Sequence, residues 1–142
     1  MAMTGTHEIL PHTADLRMRV TADTIPGLFQ SGLEGLNQVL LANFDPRKSD
    51  TTAITKTINL ESPDTTSLLI DFLSEVLTLS QIYKTIFHDL NITTLTAAQL
   101  RATITGQAVG AFDEDVKAVT YHEAEIKQNN RGKWETIIVY DI

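Results

Sequence analysis

The chain has 142 residues, enough for one domain with a substantial core. Eighteen Asp and Glu against eleven Lys and Arg leave a formal net charge of −7, which opposes autonomous binding to a nucleic-acid phosphate backbone. With no cysteine, disulfides, thiol nucleophiles and cysteine-ligated metals are excluded, and the absence fits a cytoplasmic protein.

In chain order, Met1 to His7 has neither the basic start nor the apolar core of a signal peptide. Nowhere does an apolar run approach the ~18 residues of a membrane span. Leu16, Met18 and Val20 alternate with Arg17, Arg19 and Thr21, which predicts a half-buried strand after Pro11-His12-Thr13-Ala14-Asp15. Thr24 fits a helix N-cap with Pro26 in the first turn, and Leu28, Phe29, Leu33, Leu36, Val39 and Leu40 recur at helical spacing to about residue 41. Gly27, Gly32 and Gly35 weaken that helix on propensity, so packing must hold it. A polar loop over residues 43–50 follows.

Residues 51–61 predict a second strand, with Ile54, Ile58 and Leu60 on one face. Ser62-Pro63-Asp64 ends it and caps a helix over roughly residues 65–81. That helix is the most apolar segment of the chain and must be largely buried. Residues 85–90, 91–95 and 99–105 each suit a short strand. Beyond a loop, residues 116–127 predict a continuous strand, turned by Gln128-Asn129-Asn130-Arg131-Gly132 into a terminal one over residues 133–142. Two helices among about six strands predict a two-layer α+β single domain over residues 1–142, a mainly antiparallel sheet packed against two helices.

The terminal strand is apolar up to the last residue, which predicts that it is pinned inside a sheet. Asp141 and the α-carboxylate of Ile142 are then neighbours at a fixed point, suited to a hard cation or to a basic group on a partner. If Asp15 joins them, the crowded anions require compensation, and an all-oxygen ligand set favours Ca²⁺ or Mg²⁺ over Zn²⁺. If His12 and His122 join Asp15 instead, two imidazoles and a carboxylate suit Zn²⁺ or Fe²⁺, the site of a metal-dependent hydrolase. In a continuous strand, Thr120 and His122 share a face with Ala124 and Ile126, and Lys117 lies on the other face with Val119 and Tyr121. The plain reading of Thr120 and His122 is two hydrogen-bonded polar residues at a core edge. Asp71 and Glu75 share a face of the second helix; the plain reading is its solvated side, the alternative an acidic patch for a partner. No phosphate loop, dinucleotide turn, nucleophile elbow or HExxH is present, which argues against a free-standing enzyme.

These pieces together resemble the archease family, small protein cofactors of the GTP-dependent tRNA-splicing RNA ligase. The resemblance rests on Pro11-His12-Thr13-Ala14-Asp15, the helix from Ser67 to Leu79, Lys117-Ala-Val-Thr-Tyr-His122 and Val139-Tyr-Asp-Ile142, in the family's order across essentially the whole chain. It implies a non-enzymatic accessory protein that promotes guanylylation of the ligase and its multiple turnover in tRNA splicing. It also implies a divalent metal ion at Asp15, Asp141 and Ile142, with His12, Lys117, Thr120 and His122 as motif or partner-binding positions. The implied partner is the ligase, with no membrane and no direct nucleic-acid contact. A chaperone-like modulator of RNA-modifying enzymes is the alternative of a different kind. Residues 80–110 are rich in Thr and Gln and diverge from the family's pattern.

Overall fold

The structure, a computed structural model, describes residues 4–10 and 15–142. The chain order is β1 (Gly5–Leu10), β2 (Leu16–Ala22), α1 (Ile25–Leu40), β3 (Ile54–Glu61), α2 (Thr65–Tyr83), β4 (Thr85–Leu95), β5 (Gln99–Ala108), β6 (Ala118–Thr120), β7 (Lys127–Gln128) and β8 (Trp134–Asp141). Every strand pair is antiparallel. The α+β class and the two helices agree with the sequence, but the strands divide into two sheets. One runs β1-β2-β8-β6, with β7 also paired to β8; the other runs β3-β5-β4.

Both helices begin where their caps dictate. Thr24 accepts from the Gly27 N–H at 3.0 Å and Asp64 from the Ser67 N–H at 2.7 Å, each satisfying an orphan donor of a first turn. The helices pack on each other, with Phe29 and Phe72 ring centroids 5.6 Å apart. Gly32 of α1 faces Leu69 and Leu73 of α2 at a distance where a Cβ would just touch. Gly35 is tighter: a Cβ there would stand 2.4 Å from the Met18 sulfur, so its absence lets α1 settle onto β2. The propensity cost of these glycines is thus met by close packing, as expected. One core joins both sheets to both helices, with Met18, Phe29, Leu68, Phe72, Phe87, Ile104, Ile138 and Tyr140 among its buried members.

Three sequence expectations change. Strand β1 was not foreseen; it pairs with β2 from Gly5↔Ala22 to Leu10↔Arg17. Residues 85–95 form one strand with two bulges rather than two strands. The continuous strand over residues 116–127 does not exist. β6 ends at Thr120, and pairing to β8 resumes only at Lys127↔Glu135. From Thr120↔Val139 to Lys127↔Glu135 one chain advances seven residues and the other four, so three residues loop out. The bonds the ladder would have made go elsewhere. The Ala124 N–H turns back to Tyr121 C=O at 3.1 Å, the Glu125 N–H donates to the Thr136 hydroxyl, and the Ile126 N–H donates to Thr66 of α2. Glu123 adopts φ 65°, a left-handed conformation that strands do not use. The shared face expected for Thr120, His122, Ala124 and Ile126 therefore does not form.

β8 lies between β2 on one side and β6 and β7 on the other, which confirms the pinned terminal strand. Thr136, Ile138 and Tyr140 face the core opposite Val20, Met18 and Leu16. The Tyr140 hydroxyl is fully buried without a hydrogen-bond partner among the described residues, and burial pushes its pKa far above the ordinary tyrosine value. Its neutral form is therefore favoured in the folded state, and the stability this contributes is lost as pH rises past ~10, where the unfolded chain ionises. Tyr140→Phe should leave stability at neutral pH unchanged or raise it by about 1 kcal/mol, because it removes an unsatisfied buried group. It should also flatten the alkaline fall in a denaturant-unfolding series; a neutral-pH loss beyond about 1 kcal/mol would show that the hydroxyl has a partner.

Candidate metal and partner site at the end of the first sheet

The outward face of the first sheet carries the odd-numbered residues of β2 and β8, because the even-numbered ones fill the core. The last ladder pair is Leu16↔Tyr140. One step further along the same register, Asp15 comes opposite Asp141, and directly opposed residues project to the same face. Both are exposed. On the other side of β8, Ala118 pairs with Asp141, and the Lys117 N–H donates to the Asp141 carbonyl at 2.7 Å. The next step of that register sets Lys117 beside Ile142. Asp15, Lys117 and the adjacent Asp141 and Ile142, from three separate parts of the sequence, thus meet at one end of the sheet.

Thr120 lies further along β6, where its hydroxyl donates to the Val139 carbonyl at 3.0 Å and accepts from the His122 N–H at 3.3 Å. It serves as a clasp that closes β6 and starts the turn. His122 is exposed in that turn rather than in a strand. His12 lies outside the described residues, as do Pro11, Thr13 and Ala14. Among the described residues, no three His, Asp or Glu side chains group so as to hold a metal.

The segment after β6 is tied down from two sides. On the sheet side, Arg17 reaches Glu123 through a fork, Nε to Oε2 at 2.8 Å and Nη2 to Oε1 at 2.9 Å. Bidentate pairing of this kind fixes orientation as well as position. On the helix side, the Tyr121 hydroxyl donates to Asp71, whose other oxygen accepts from Ser62 at 2.6 Å. That bond to Asp71, with burial second, raises the Tyr121 pKa. Asp71 is half-buried and taken up by two hydroxyls, so it is a strut between α2 and the turn and not part of an acidic patch. Sequence reasoning missed Arg17 and Glu123 as a pair; 106 positions separate them and each reads as an ordinary surface charge.

The donor set suits a hard cation. Asp15 and Asp141 offer only oxygen, and with opposed Cβ atoms ~5 Å apart two such charges repel by on the order of 1–3 kcal/mol. A divalent ion held between them would remove that repulsion. Ca²⁺ takes six to eight oxygens in general, so these two carboxylates would leave positions for other ligands. A cavity of about 620 Å³ lies elsewhere on the same face, lined by Arg19, Arg131, Lys133 and Glu135 among others. Its charges are largely met within the chain, Arg19 by Glu8 and Glu135 and Lys133 by Asp23.

An α+β domain with an acidic corner on its central terminal strand is the class of protein these observations define. The chain matches the Archease protein family (MTH1598/TM1083) over residues 7–142 and belongs to that family. Protein archease of Methanosarcina barkeri is 32% identical over 145 residues, covering 96% of this chain and 95% of the relative. Protein archease of Pyrococcus furiosus is 32% identical over 139 residues, covering 92% and 94%. Two solved structures share the fold. The solution structure of Methanobacterium thermoautotrophicum protein 1598 has a TM-score of 0.69 at 22% identity, covering 96% of this chain and 98% of the other. The crystal structure from Thermotoga maritima, titled an archease and possible chaperone, has a TM-score of 0.65 at 18% identity, covering 94% of each.

The Glu123 carboxyl is held below the ordinary glutamate range, first by its bond to Arg17. A lowered carboxyl contributes stability that is present above the unfolded value of ~4.3 and lost as pH falls through the lower folded value. The fork should therefore persist through neutral pH and open only in acid. A carboxyl-carbon NMR titration should give Glu123 a midpoint below ~4.3, and Arg17→Met should move it back up; an unmoved midpoint would mean that the fork is not formed in solution.

Proposed function

We propose that this chain is a non-enzymatic accessory protein of a cytoplasmic GTP-dependent tRNA-splicing RNA ligase, promoting guanylylation of the ligase and its multiple turnover. The observation that carries the reading is the register that sets Asp15 opposite Asp141 at the exposed end of the first sheet. Family membership supports it, and so does the description of the Thermotoga maritima structure as a possible chaperone, which points to action on a partner protein.

In this reading Asp15, Asp141 and the carboxylate at Ile142 hold a divalent cation, Ca²⁺ or Mg²⁺, with Lys117 beside them. Bound there, such an ion supplies neutralisation of the charge that develops in phosphoryl transfer. The chain's own residues do the rest. Central β8 keeps Asp141 from moving relative to Asp15, and the Lys117 N–H bond fixes the Asp141 backbone. Exposure of both carboxylates leaves the corner open to a partner. Thr120 is the clasp that ends β6, and His12 and His122 are motif positions for contact with the partner. The net charge of −7 leaves RNA contact to the ligase.

The test is a guanylylation assay with a purified tRNA-splicing ligase, GTP and substoichiometric accessory protein. Wild type should raise the labelling rate and sustain repeated turnover. Asp141→Asn should reduce both to the level of ligase alone while its circular dichroism and melting curve match wild type. Full stimulation by that variant would refute the role of the acidic corner, and no stimulation by wild type would refute the ligase assignment.

A further inference from the structure

A cavity of about 310 Å³, near the lower end of small-molecule sites, opens where β1, the end of α1, the loop after it and β4 come together. His7, which lines it, pairs with the buried Val20 and packs beside Gly35 of α1, so the cavity lies on the helix side of the first sheet, the face opposite the acidic corner. Part of its wall is aromatic. The Phe44 and His88 ring centroids stand 5.8 Å apart, and His88 is held through Nε2 by the Gln107 side chain. The loop that carries Phe44 is fixed as well: the Ala42 N–H donates to Asp113 at 3.2 Å, and the Asp113 N–H donates to the Leu40 carbonyl at 2.7 Å. Another part is polar. Glu34, Asn37 and Gln38 all line the cavity, and spacings of three and four put Asn37 and Gln38 beside Glu34 on α1. Asn37 donates its Nδ2–H to the Phe87 carbonyl at 2.8 Å, which fixes the direction of the amide. Its Oδ1 is then a buried acceptor without a partner among the described residues. An unmet buried acceptor is costly, and the cavity that Asn37 lines is the space from which a donor can come. Glu34 accepts from Gln30 through Oε1 at 3.0 Å and has a second carboxylate oxygen to offer. Gln38, exposed, adds amide N–H donors. Among the described residues, no Lys or Arg lines the cavity.

We propose that this cavity binds a guanine base, with its pairing edge toward Glu34, Asn37 and Gln38 and its plane against Phe44 and His88. The match is one of hydrogen-bond sense. Along its pairing edge guanine carries two N–H donors beside a carbonyl acceptor. Asn37 Oδ1 and Glu34 supply two acceptors and Gln38 a donor, which is the complement. Adenine and cytosine each have a single exocyclic donor on that edge, and uracil a single ring N–H between two carbonyls, so each would set an acceptor against Asn37 Oδ1 or Glu34. Proteins read single bases in this way, by stacking on Phe or His rings and by hydrogen bonds to the pairing edge. With no cation in the described lining, sugar and phosphate are left to solvent and the base carries the recognition. The site takes nothing from Asp15 or Asp141 and stands or falls separately from the acidic corner.

The experiment is an NMR titration of the isotope-labelled full chain with GMP, IMP, AMP, UMP and ribose 5-phosphate at millimolar concentration, followed by amide chemical shifts. GMP should shift the Asn37 side-chain amide and backbone amides within residues 34–46 and 86–88, and the shifts should saturate. IMP lacks the exocyclic amine of guanine and should bind about tenfold more weakly, the loss of one hydrogen bond to a charged acceptor. AMP and UMP should bind no better than IMP. Ribose 5-phosphate should leave these signals unmoved, which separates recognition of the base from binding of the phosphate. Glu34→Ala changes an exposed side chain and should keep the wild-type melting curve while bringing GMP down to the affinity of IMP. Phe44→Leu keeps apolar bulk and should weaken GMP and IMP by the same factor, because it removes stacking and leaves the edge contacts. Equal affinity for GMP and AMP, GMP shifts confined to other surfaces, shifts reproduced by ribose 5-phosphate, or no GMP shifts at all would each overturn the proposal. None of these outcomes bears on stimulation of a ligase or on Asp141.

Discussion

The structure depends on β8 being a central strand. Its inner residues Thr136, Ile138 and Tyr140 are buried opposite β2, so the strand cannot slip by one residue without turning its whole apolar set to solvent. That constraint sets the registers on both sides. Once Leu16 is opposite Tyr140, Asp15 falls beside Asp141; once Val119 is opposite Tyr140, Lys117 falls beside Ile142. The geometry of the acidic corner is therefore a consequence of core packing, and no separate device is needed to assemble it.

The helices contribute at second hand. α1 packs on β1 and β2, and α2 spans the second sheet and β6, so β2 and β6, on either side of β8, are each backed by a helix. The glycines of α1 are what allow this closeness, at Met18 for the sheet and at Leu69 and Leu73 for α2. The half-buried Asp71 arrangement belongs to the same scheme. It ties α2 to the turn after β6 through two hydroxyls, and the turn in turn delivers Glu123 to Arg17. Structural and functional roles are hard to separate in this region, since one chain of contacts runs from the helix core to the rim of the corner.

An acidic corner on a rigid strand, open to solvent, suits an accessory role better than a self-contained active site. It lies apart from the cavity of about 620 Å³ on the same face, which would enclose a small substrate more readily. The acidic balance of the chain agrees, because a surface of this charge seeks cations and basic partner groups and repels free RNA.

Much of the fold was legible in the sequence, for a physical reason: periodicity and caps act over a few residues. The period of two in β2 and β8, the period of 3.6 in α1, the apolar run of α2, and the caps at Thr24 and Asp64 are all local, and all were read correctly. Asp15, Asp141 and Ile142 were singled out from the apolar terminal strand and from family resemblance, but only the antiparallel register of β2 and β8 decided that Asp15 and Asp141 are neighbours. The division into two sheets, the pairing of β1, and the break after Thr120 were decided by tertiary structure alone. No glycine or proline marks residues 116–127; the strand is broken there because Thr66, Thr136 and Arg17 from distant segments capture its backbone and its Glu123 carboxylate. Local sequence sets what a segment favours by itself. Which long-range partner takes its hydrogen bonds is settled only when the layers close around it, and the Arg17–Glu123 fork belongs wholly to that second kind.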